Sequence, residues 1–481
     1  MLQRTALPLV RKLLLGYGRR MDKEKMLLRS RRSALRVAAQ AARHSLAYRT
    51  LLQENGISIA SLDTGVDLER LPVLTKDNTF ARFSLAEMAR PVPAHALADV
   101  LTSSGRGGRT FGFRLSTRAQ HGSSWFDIDL GLQDVFDVDT HPTLLVNCLP
   151  MGVVFASRAV AVSNVSVRED MACAILHNVG PRFAQTLVCC DPLFVRQLLW
   201  EGERTGVDWK ALNTSLIMGE EVLVESQREY IAAKMGIDLD NDPHRMIGSS
   251  YGAAELGLNL LFETRDTIRL RRAMRHHAGL QTLLGSHTGA QSMPSLFCFN
   301  PMRCHIEVLN PDADGQGELC FTLLDANAVV LLPRYATGDR GKLMECAQVQ
   351  KACQLAGCQV PWLPMVALQG RIHDRPEGMP SVEDIKELIY AMPALADDLS
   401  GAFTLLSATK DSKDITQLTL QLRPGLLQMA PELARVFQDV LSNCSFFRPV
   451  SAEFRADEPV RWGGLLDYER KFSYFNRTYA N

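Results

Sequence analysis

The chain has 481 residues, more than one ordinary hydrophobic core accommodates, so two or three domains are expected. Hydrophobic residues make up 46% of it and charged residues 22%, as in globular proteins that fold in water. The 53 basic residues balance the 53 acidic ones, which excludes an overall charge that would attract nucleic acid. No apolar run reaches the ~18 residues that a membrane-spanning helix needs, so no transmembrane segment is predicted.

The first part of the chain is basic. Between Arg4 and Arg43 the only acidic residues are Asp22 and Glu24. A mitochondrial-type transit peptide, a membrane-surface helix and an ordinary solvated helix all have such a composition. The apolar run 13–15 is too short for a secretory signal, and the acids count against a transit peptide. The pattern therefore favours an ordinary helix at the start of the chain.

The 11 cysteines occur without a recognisable secretory signal. Free thiols in a reducing compartment are expected in that context, and the cytoplasm is the default. The spacing of Cys346, Cys353 and Cys358 fits no compact zinc site, and we do not expect one to form with Cys304 or His305.

The predicted elements run from an N-terminal helical part to a small C-terminal domain. Residues 20–55 have the periodicity of helices, and 71–77 is a connector in which Thr75 can cap the next helix. From about residue 100 to 340, short apolar runs such as 143–147 and 216–218 alternate with helical stretches, of which 225–235 reads as amphipathic. This alternation predicts an α/β fold with buried strands and covering helices. After about residue 370, a helix capped by Ser381 and a strand at 418–422 predict a small α+β domain.

A glycine-rich loop comes directly after the apolar pair Val100-Leu101. It is not a Walker loop, because no Lys-Ser/Thr pair closes it. Backbone amides and hydroxyls in such a loop can donate to phosphate oxygens, although a purely structural turn is the simpler interpretation of the loop alone. The candidate phosphate-binding residues are Ser103, Ser104, Gly105, Gly108 and Arg109.

Two short runs later in the chain each end in a carboxylate. The first is Tyr251-Gly252-Ala253-Ala254-Glu255, which could hold Mg²⁺ or could merely begin a helix with Glu255 favouring its dipole. The second is Thr337-Gly338-Asp339, in which the glycine permits a turn that projects the aspartate toward ribose hydroxyls. A surface Gly-Asp turn is the alternative for the second run.

Taken in this order, the runs resemble the motifs of the adenylate-forming superfamily, and within it those of the phenylacetate-CoA ligase-like branch. That branch has Tyr-Gly-x-(Ser/Thr)-Glu followed by Arg-Tyr-x-Thr-Gly-Asp. The resemblance extends from Tyr48 to Lys471. It implies a large N-terminal domain over 1–370, with a helical part at 1–95, and a small mobile C-terminal domain over 371–481.

The resemblance also implies roles for individual residues. Arg106, Gly107 and Ala254 depart from the family pattern, which puts the hydroxyl contacts to phosphate in doubt. The roles implied are phosphate binding by Ser103, Ser104, Gly105, Gly108 and Arg109; nucleotide binding by Tyr251, Gly252 and Ala253; Mg²⁺ binding and catalysis by Glu255; ribose binding by Asp339 and Arg371; a hinge at Asp374; and stabilisation of developing charge by Lys471.

The implied activity is ATP- and Mg²⁺-dependent activation of a carboxylic acid to acyl-AMP, with release of pyrophosphate, and then transfer to a thiol. CoA is the expected acceptor. A carrier-protein phosphopantetheine, a protein nucleophile and a degenerate nucleotide-binding scaffold are the alternatives. The resemblance also leaves open a homodimer and an acyl carrier protein as partners.

Other residues are candidates for contacts with the substrates. An apolar lining for the acid is expected from Trp125, Phe126, Phe136, Met151 and Phe155, which suits aryl and fatty acids equally. The basic stretch that contains Arg269, Arg271, Arg272 and Arg275, with His276 and His277 after it, is expected to be a solvated face or a binding site for a CoA phosphate.

Overall fold

The structure is a computed structural model. It describes residues 2–63, 66–103, 110–150, 152–285, 293–371, 377–410, 413–446, 448–456, 468 and 472–475.

Among the residues that the structure describes, five α-helices precede the first strand. They are α1 (Leu2–Arg20), α2 (Lys23–His44), α3 (Leu46–Glu54), α4 (Ile59–Asp63) and α5 (Leu85–Met88). The predicted helical stretch 20–55 is interrupted at Ser45, whose extended backbone ends α2 and whose hydroxyl accepts from the amide of Tyr48 to cap α3. The connector ends in a turn rather than a helix, and Thr75 Oγ1 accepts from the amide of Asn78 within it.

A pair of strands and a long helix come next. Strands β1 (Leu97–Thr102) and β2 (Phe113–Thr117) form a two-stranded antiparallel sheet on either side of the glycine-rich loop. Helix α6 (Arg118–Phe136) begins at Thr117, which forms a capping box with Gln120.

Eleven strands form the main sheet. In chain order they are β3 (Thr143–Asn147), β4 (Ala161–Asn164), β5 (Gln185–Cys190), β6 (Thr214–Met218), β7 (Ile247–Ala253), β8 (Gly257–Phe262), β9 (Ser295–Phe299), β10 (Cys304–Leu309), β11 (Gly317–Leu323), β12 (Tyr335–Leu343) and β13 (Met365–Arg371). Across the sheet the order is β10-β11-β12-β13-β9-β8-β7-β6-β5-β3-β4.

Strand β7 joins two halves of this sheet. Its first residues pair in parallel with β6, within a parallel half that also contains β5, β3 and β4. Its last residues pair antiparallel with β8, within an antiparallel half that continues to β10. In sheets with a parallel part, ligands bind beyond the carboxyl ends of the strands. A ligand-binding site is therefore expected at the carboxyl end of β7.

Helices cover both faces of the sheet. They are α7 (Glu169–Asn178), α8 (Val195–Thr205), α9 (Glu225–Met235), α10 (Arg265–Met274), α11 (Ala278–Leu284) and α12 (Cys346–Ala356). Alternate residues of β3 show the arrangement, because Leu144 and Val146 join one core cluster while Leu145 joins another that includes α6. Such double-sided burial confirms the predicted α/β class.

The C-terminal unit, meaning the described residues from 377 onward, has its own sheet. Its elements are α13 (Val382–Tyr390), α14 (Pro393–Asp398), β14 (Leu399–Lys410), β15 (Lys413–Leu422), α15 (Pro431–Ser442) and β16 (Val450–Arg455). The three strands pair in the order β14-β15-β16. Ser381 caps α13 as predicted, with its hydroxyl accepting from the amide of Asp384 at 3.0 Å.

This unit packs against the parallel half through buried polar contacts. Glu387 accepts from the backbone amides of Glu225 and Ser226 at the start of α9, at 3.0 and 3.1 Å. Lys386 Nζ donates to Glu221 at 2.7 Å, and both side chains are buried. The helix predicted at 225–235 is confirmed as α9, but it is not amphipathic, because polar and apolar residues along it are buried alike.

Two further findings concern the whole described chain. All 11 cysteines are free, which confirms the expectation of thiols. None of the helices, over the residues described, is long and apolar enough to cross a membrane.

Candidate active site

The two motif tyrosines and the two motif carboxylates form one cluster. The Tyr335 hydroxyl donates to Glu255 Oε1 at 2.9 Å, and the Tyr251 hydroxyl donates to Asp339 Oδ2 at 2.6 Å. Each motif therefore supplies the hydrogen-bond donor for the carboxylate of the other. This reciprocal exchange brings together residues that are 80 and 88 positions apart in the chain.

These two hydrogen bonds between the motifs can form only if the sheet is curled. Strand β12 carries Tyr335 and Asp339, and three strands, β8, β9 and β13, separate it from β7, which carries Tyr251. Flat neighbouring strands lie ~4.8 Å apart, so side chains could not span that separation. The antiparallel half must curl back to bring β12 to the carboxyl end of β7. The site lies in the concavity that results.

Glu255 lies in the turn of a β-hairpin formed by β7 and β8, not at the start of a helix, so the helical alternative is wrong. A Cβ added at Gly252 would lie 2.8 Å from the Gly257 carbonyl oxygen and 2.9 Å from Leu258 Cα. Only glycine allows the two strands to approach this closely. Gly252 therefore has a structural role in forming the hairpin, and Ala253 pairs directly with Gly257.

Two cations and two phenols surround the buried carboxylates. Lys76 Nζ lies 3.8 Å from Glu255 Oε1, and Arg371 Nε lies 3.4 Å from Asp339 Oδ1. Burial, followed by the nearby Glu255 carboxylate, raises the pKa of Tyr335, and burial together with Asp339 raises the pKa of Tyr251. Both phenols therefore stay protonated and keep donating to their carboxylates.

The geometry of β12 projects Asp339 toward this site. Between the pairs Cys320–Ala336 and Glu318–Arg340, one residue of β11 faces three residues of β12, so the strand bulges at Thr337, Gly338 and Asp339. Gly338 has a φ of +79°, which favours glycine. On the other side, Asp339 pairs in register with Arg371 of β13. The predicted turn is thus a bulge within a strand, not a surface turn.

The glycine-rich loop begins and ends beside Glu255. The Ser103 amide donates to the Gly112 carbonyl at 3.0 Å, and Ser103 Oγ accepts from the Gly112 amide at 2.9 Å, which closes the base of the loop. A Cβ at Gly112 would lie 3.2 Å from both Cβ and Cδ of Glu255. Glycine at position 112 therefore lets the loop base contact the carboxylate. Ser104, Gly105, Gly108 and Arg109 of the loop lie outside the described residues.

Lys76 reaches the site because the connector is fixed to β12. The Leu74 amide donates to the Arg334 carbonyl, and the Ala336 amide donates to the Leu74 carbonyl, both at 2.8 Å. The Arg334 side chain is buried and donates to the carbonyls of Glu69 and Leu71 as well as to Glu307. These contacts explain the arginine of the Arg334-Tyr335 pair as a structural residue that positions the connector.

Sequence reasoning missed several residues of this cluster. The Tyr251 ring stacks on Phe321, with centroids 5.7 Å apart and an interplanar angle of 21°. Tyr335 had a detectable signal, because each motif has a tyrosine four residues before its carboxylate. The residues not singled out as site residues beforehand are Lys76, Gly112, Phe321 and Tyr335.

The remaining expected site residues are the hinge, the near-terminal lysine and the lining of the acid pocket. Asp374 and Lys471 lie outside the described residues, as does Met151. Phe136, the last residue of α6, is buried in a core cluster with Leu132 and Leu145. Trp125 is half-buried with the Arg158 guanidinium 4.3 Å from its ring centroid.

The solvated-face interpretation of the basic stretch holds for His276 and His277, which are exposed, but not for Arg271. Arg271 is fully buried and its Nη1 lies 3.1 Å from Glu225 Oε1. Arg272 and Arg275 pair with Glu229 at 3.1 and 2.7 Å. At least these three arginines have protein carboxylates as partners, which removes the reason to assign them a CoA phosphate.

The structure was compared with known proteins. No family model matches the chain, and no curated protein matches it in sequence. Among solved structures, it is similar to 2-hydroxyisobutyryl-CoA ligase in the postadenylation state in complex with R3-HIB-AMP, at a TM-score of 0.66 and 13% identity, covering 95% of this chain and 90% of that one. The same ligase with 2-HIB-AMP matches at a TM-score of 0.66 and 14% identity, with the same coverage.

The similarity also holds for a second state of that ligase. Its complex with 2-HIB-AMP and CoA in the thioesterification state matches at a TM-score of 0.53 and 14% identity, covering 92% of this chain and 88% of that one. The likeness is therefore one of whole-chain fold.

Proposed function

Since the chain has the fold of the adenylate-forming CoA ligases, we propose that it activates a carboxylic acid with ATP and transfers the acyl group to a thiol. A carboxylate oxygen of the acid attacks the α-phosphorus of ATP, pyrophosphate leaves, and the thiol then displaces AMP from the acyl-AMP. CoA is the proposed thiol, as in the names of the similar ligases. The observation that carries the proposal is the reciprocal pairing of Tyr251 with Asp339 and of Tyr335 with Glu255.

Asp339 and Arg371 suit the ribose of ATP. Asp339 accepts one hydrogen bond from Tyr251, and a carboxylate has further lone pairs that can accept from two ribose hydroxyls. Arg371 is in register with Asp339, so its guanidinium can donate to the same sugar. The Tyr251–Phe321 stack offers an aromatic surface next to these groups on which adenine can lie.

Glu255 suits a magnesium ion. Its carboxylate adjoins the base of the phosphate loop at Gly112, and carboxylate oxygens are ligands that Mg²⁺ prefers. When bound, Mg²⁺ would neutralise charge on the phosphates. Tyr335 orients the carboxylate, and Lys76 adds a positive charge near the phosphates. The glycine-rich loop with Ser104, Gly105, Gly108 and Arg109 is proposed to bind phosphate, and Lys471 to stabilise charge between the acid and the α-phosphate.

The same proposal includes the branch of the superfamily, the class of acid, the cellular compartment and the alternative thiol. The order of the motifs supports membership of the phenylacetate-CoA ligase-like branch, with a small domain that pivots at Asp374. The acid is aryl or fatty, because α6 contains Trp125 and Phe126 and the loop between β3 and β4 contains Phe155. Eleven free thiols suit the cytoplasm. A carrier-protein phosphopantetheine is the alternative acceptor.

A second candidate is a nucleotide-binding scaffold that does not turn over. It is favoured by Ala254, which provides no hydroxyl beside Glu255. A missing donor to a phosphate oxygen would cost about 1–3 kcal/mol. The two candidates share ATP binding and differ in pyrophosphate release.

The experiment that tests the proposal is pyrophosphate release by the full chain with ATP, Mg²⁺ and a panel of aryl and fatty acids, with hydroxylamine to trap acyl-AMP. Acid-dependent release that is lost in Asp339→Asn and kept in the exposed control Glu345→Gln supports the enzyme. ATP binding without release for any acid supports the scaffold. Absence of ATP binding contradicts both.

A further inference from the structure

Helix α1 is attached to the protein through Arg11, Leu15 and Gly18, which lie on one side of it. Arg11 is only 2% exposed, and its guanidinium pairs with Asp139 and lies 3.6 Å from Asp129 Oδ2. One turn later, Leu15 is buried, and Gly18 packs under Trp362, where a Cβ would lie 2.9 Å from the ring. These contacts hold the helix in one orientation against α6 and the loop that comes after it.

The opposite face of α1 presents an apolar stripe to solvent. Its positions follow the i, i+1, i+4, i+5, i+8 spacing of a single helical face. The stripe consists of Leu9 (57% exposed), Val10 (40%), Leu13 (63%), Leu14 (42%) and Tyr17 (64%).

An ordinary surface helix turns its apolar side to the core, whereas α1 buries Leu15 and still leaves five apolar side chains in solvent. Single exposed apolar residues need no explanation, but a contiguous stripe on a fixed helix indicates a surface that something else covers. Because Arg11 and Gly18 fix the helix, the stripe cannot reach the core by rotation of α1.

We propose that α1 lies flat on an anionic phospholipid bilayer, with this stripe inserted at the boundary between headgroups and acyl chains. Charge supports this occupant, because Lys12 and Arg20 are exposed at the edge and end of the stripe. Exposed cations continue along one face of α2 at Lys25, Arg29 and Arg32. An interfacial helix combines such an apolar face with cations that attract anionic headgroups.

A second copy of the chain fits the stripe less well. Five side chains of this size offer a few hundred Å². A stable interface buries about 800 Å² on each partner. A two-fold dimer centred on the stripe would also place Lys12 close to its own image, which the bilayer does not. The area and the charge both favour the bilayer.

The test is co-sedimentation of the full chain with vesicles. One set contains phosphatidylcholine alone and the other equal parts of phosphatidylcholine and phosphatidylglycerol. We expect binding to the anionic set that weakens as salt is raised. The double variant Leu13→Gln/Leu14→Gln is expected to lower the partition coefficient at least about tenfold, given the apolar area that it removes from the interface.

A matched control and a second variant distinguish a loss of membrane binding from a loss of folding. Leu355→Gln/Leu427→Gln removes two exposed leucines elsewhere and should leave vesicle binding unchanged. Lys12→Glu/Arg20→Glu keeps the apolar stripe and should selectively weaken binding to the anionic vesicles. Circular dichroism checks that each variant is folded.

Three outcomes would overturn the proposal. The first is no sedimentation of the wild-type chain with either vesicle set. The second is equal binding to both sets, which removes the anionic headgroup from the explanation. The third is a dimer in size-exclusion chromatography that Leu13→Gln/Leu14→Gln dissociates, which would assign the stripe to a second copy.

Discussion

Glu255 and Glu263 flank the same strand, β8, yet their surroundings differ in kind. Glu263 is fully buried, 2.8 Å from Arg228 Nη2 and 3.8 Å from Arg271 Nη1, and it accepts from the Ser249 amide at 2.8 Å. Glu255 is buried as well, but its described partners are the Tyr335 hydroxyl and, at 3.8 Å, Lys76.

The difference separates a structural carboxylate from one that can bind a ligand. Glu263 and Glu225 share Arg228 and Arg271, so two negative and two positive charges balance where no water reaches. Glu255 retains lone pairs that no described residue occupies, beside a loop suited to phosphate. The completeness of charge compensation thus distinguishes core from site better than burial does.

The largest expected effect comes from removing one cation of the balanced cluster. Arg228→Met leaves two buried carboxylates with one arginine and should lower the free energy of unfolding by about 3–5 kcal/mol. Urea denaturation measures it. The control Arg272→Met, on a partly exposed arginine paired with Glu229 and Asp240, should cost less than about 1 kcal/mol. Equal losses in the two variants would contradict the comparison.

Replacing each of the two glutamates by glutamine should show that one affects activity and the other affects stability. Glu255→Gln is expected to reduce pyrophosphate release by about 10²-fold or more, because it would weaken the proposed Mg²⁺ site, while the unfolding midpoint stays near that of the wild type. Glu263→Gln is expected to lower stability by several kcal/mol, since it leaves a buried arginine short of a partner. Activity assays and urea denaturation on both variants measure the contrast. A loss of stability in Glu255→Gln as large as in Glu263→Gln would assign Glu255 to the core.

The core also contains His305, whose titration changes the free energy of unfolding with pH in a predictable direction. Burial, with help from Arg31 and Arg334, lowers the pKa of His305 from 6.5 to about 4, and Ser30 Oγ lies 2.7 Å from its Nδ1. Between these pKa values the unfolded chain binds more protons than the native one, so stability falls as pH decreases through that window. The loss should reach about 2 kcal/mol near pH 5.

Urea denaturation between pH 7 and pH 4.5 measures this loss. His305→Gln should flatten the decrease over that interval. An unchanged slope in the variant would show that other groups produce the acid sensitivity.

The smallest effects are expected from the tyrosines that join the two motifs. Tyr251→Phe and Tyr335→Phe each remove one hydroxyl donor, at a cost of about 1 kcal/mol. Tyr251→Phe should mainly raise the KM for ATP, because it loosens Asp339. Tyr335→Phe should mainly raise the Mg²⁺ concentration needed for half-maximal activity. A uniform loss of activity in both variants, without these separate changes, would indicate only a structural role.

Local signals predicted many elements of this fold. The strand expected at 143–147 coincides with β3, the helix expected at 225–235 coincides with α9, and Ser381 caps α13. These features depend on residues close in sequence, through apolar runs, periodicity and capping hydroxyls. The motif carboxylates Glu255 and Asp339 were also detectable, because their spacing to glycines and tyrosines is local.

Tertiary structure alone decided what surrounds these residues. The run from Tyr251 to Glu255 is compatible with a helix start or a hairpin, and only its pairing with β8 selects the hairpin. Arg271 reads as a solvated cation in its basic stretch, yet it is buried and paired with Glu225, which is distant in sequence, and with Glu263.

The sequence by itself determined the types and order of the elements and the chemistry of the motif side chains. The tertiary structure decided which carboxylate is neutralised and which keeps lone pairs that no described residue occupies, which tyrosine donates to which acid, and which face of α1 points outward. The reason is physical: propensity and periodicity act over a few residues, whereas desolvation and charge pairing depend on every group that the folded chain brings within a few ångströms.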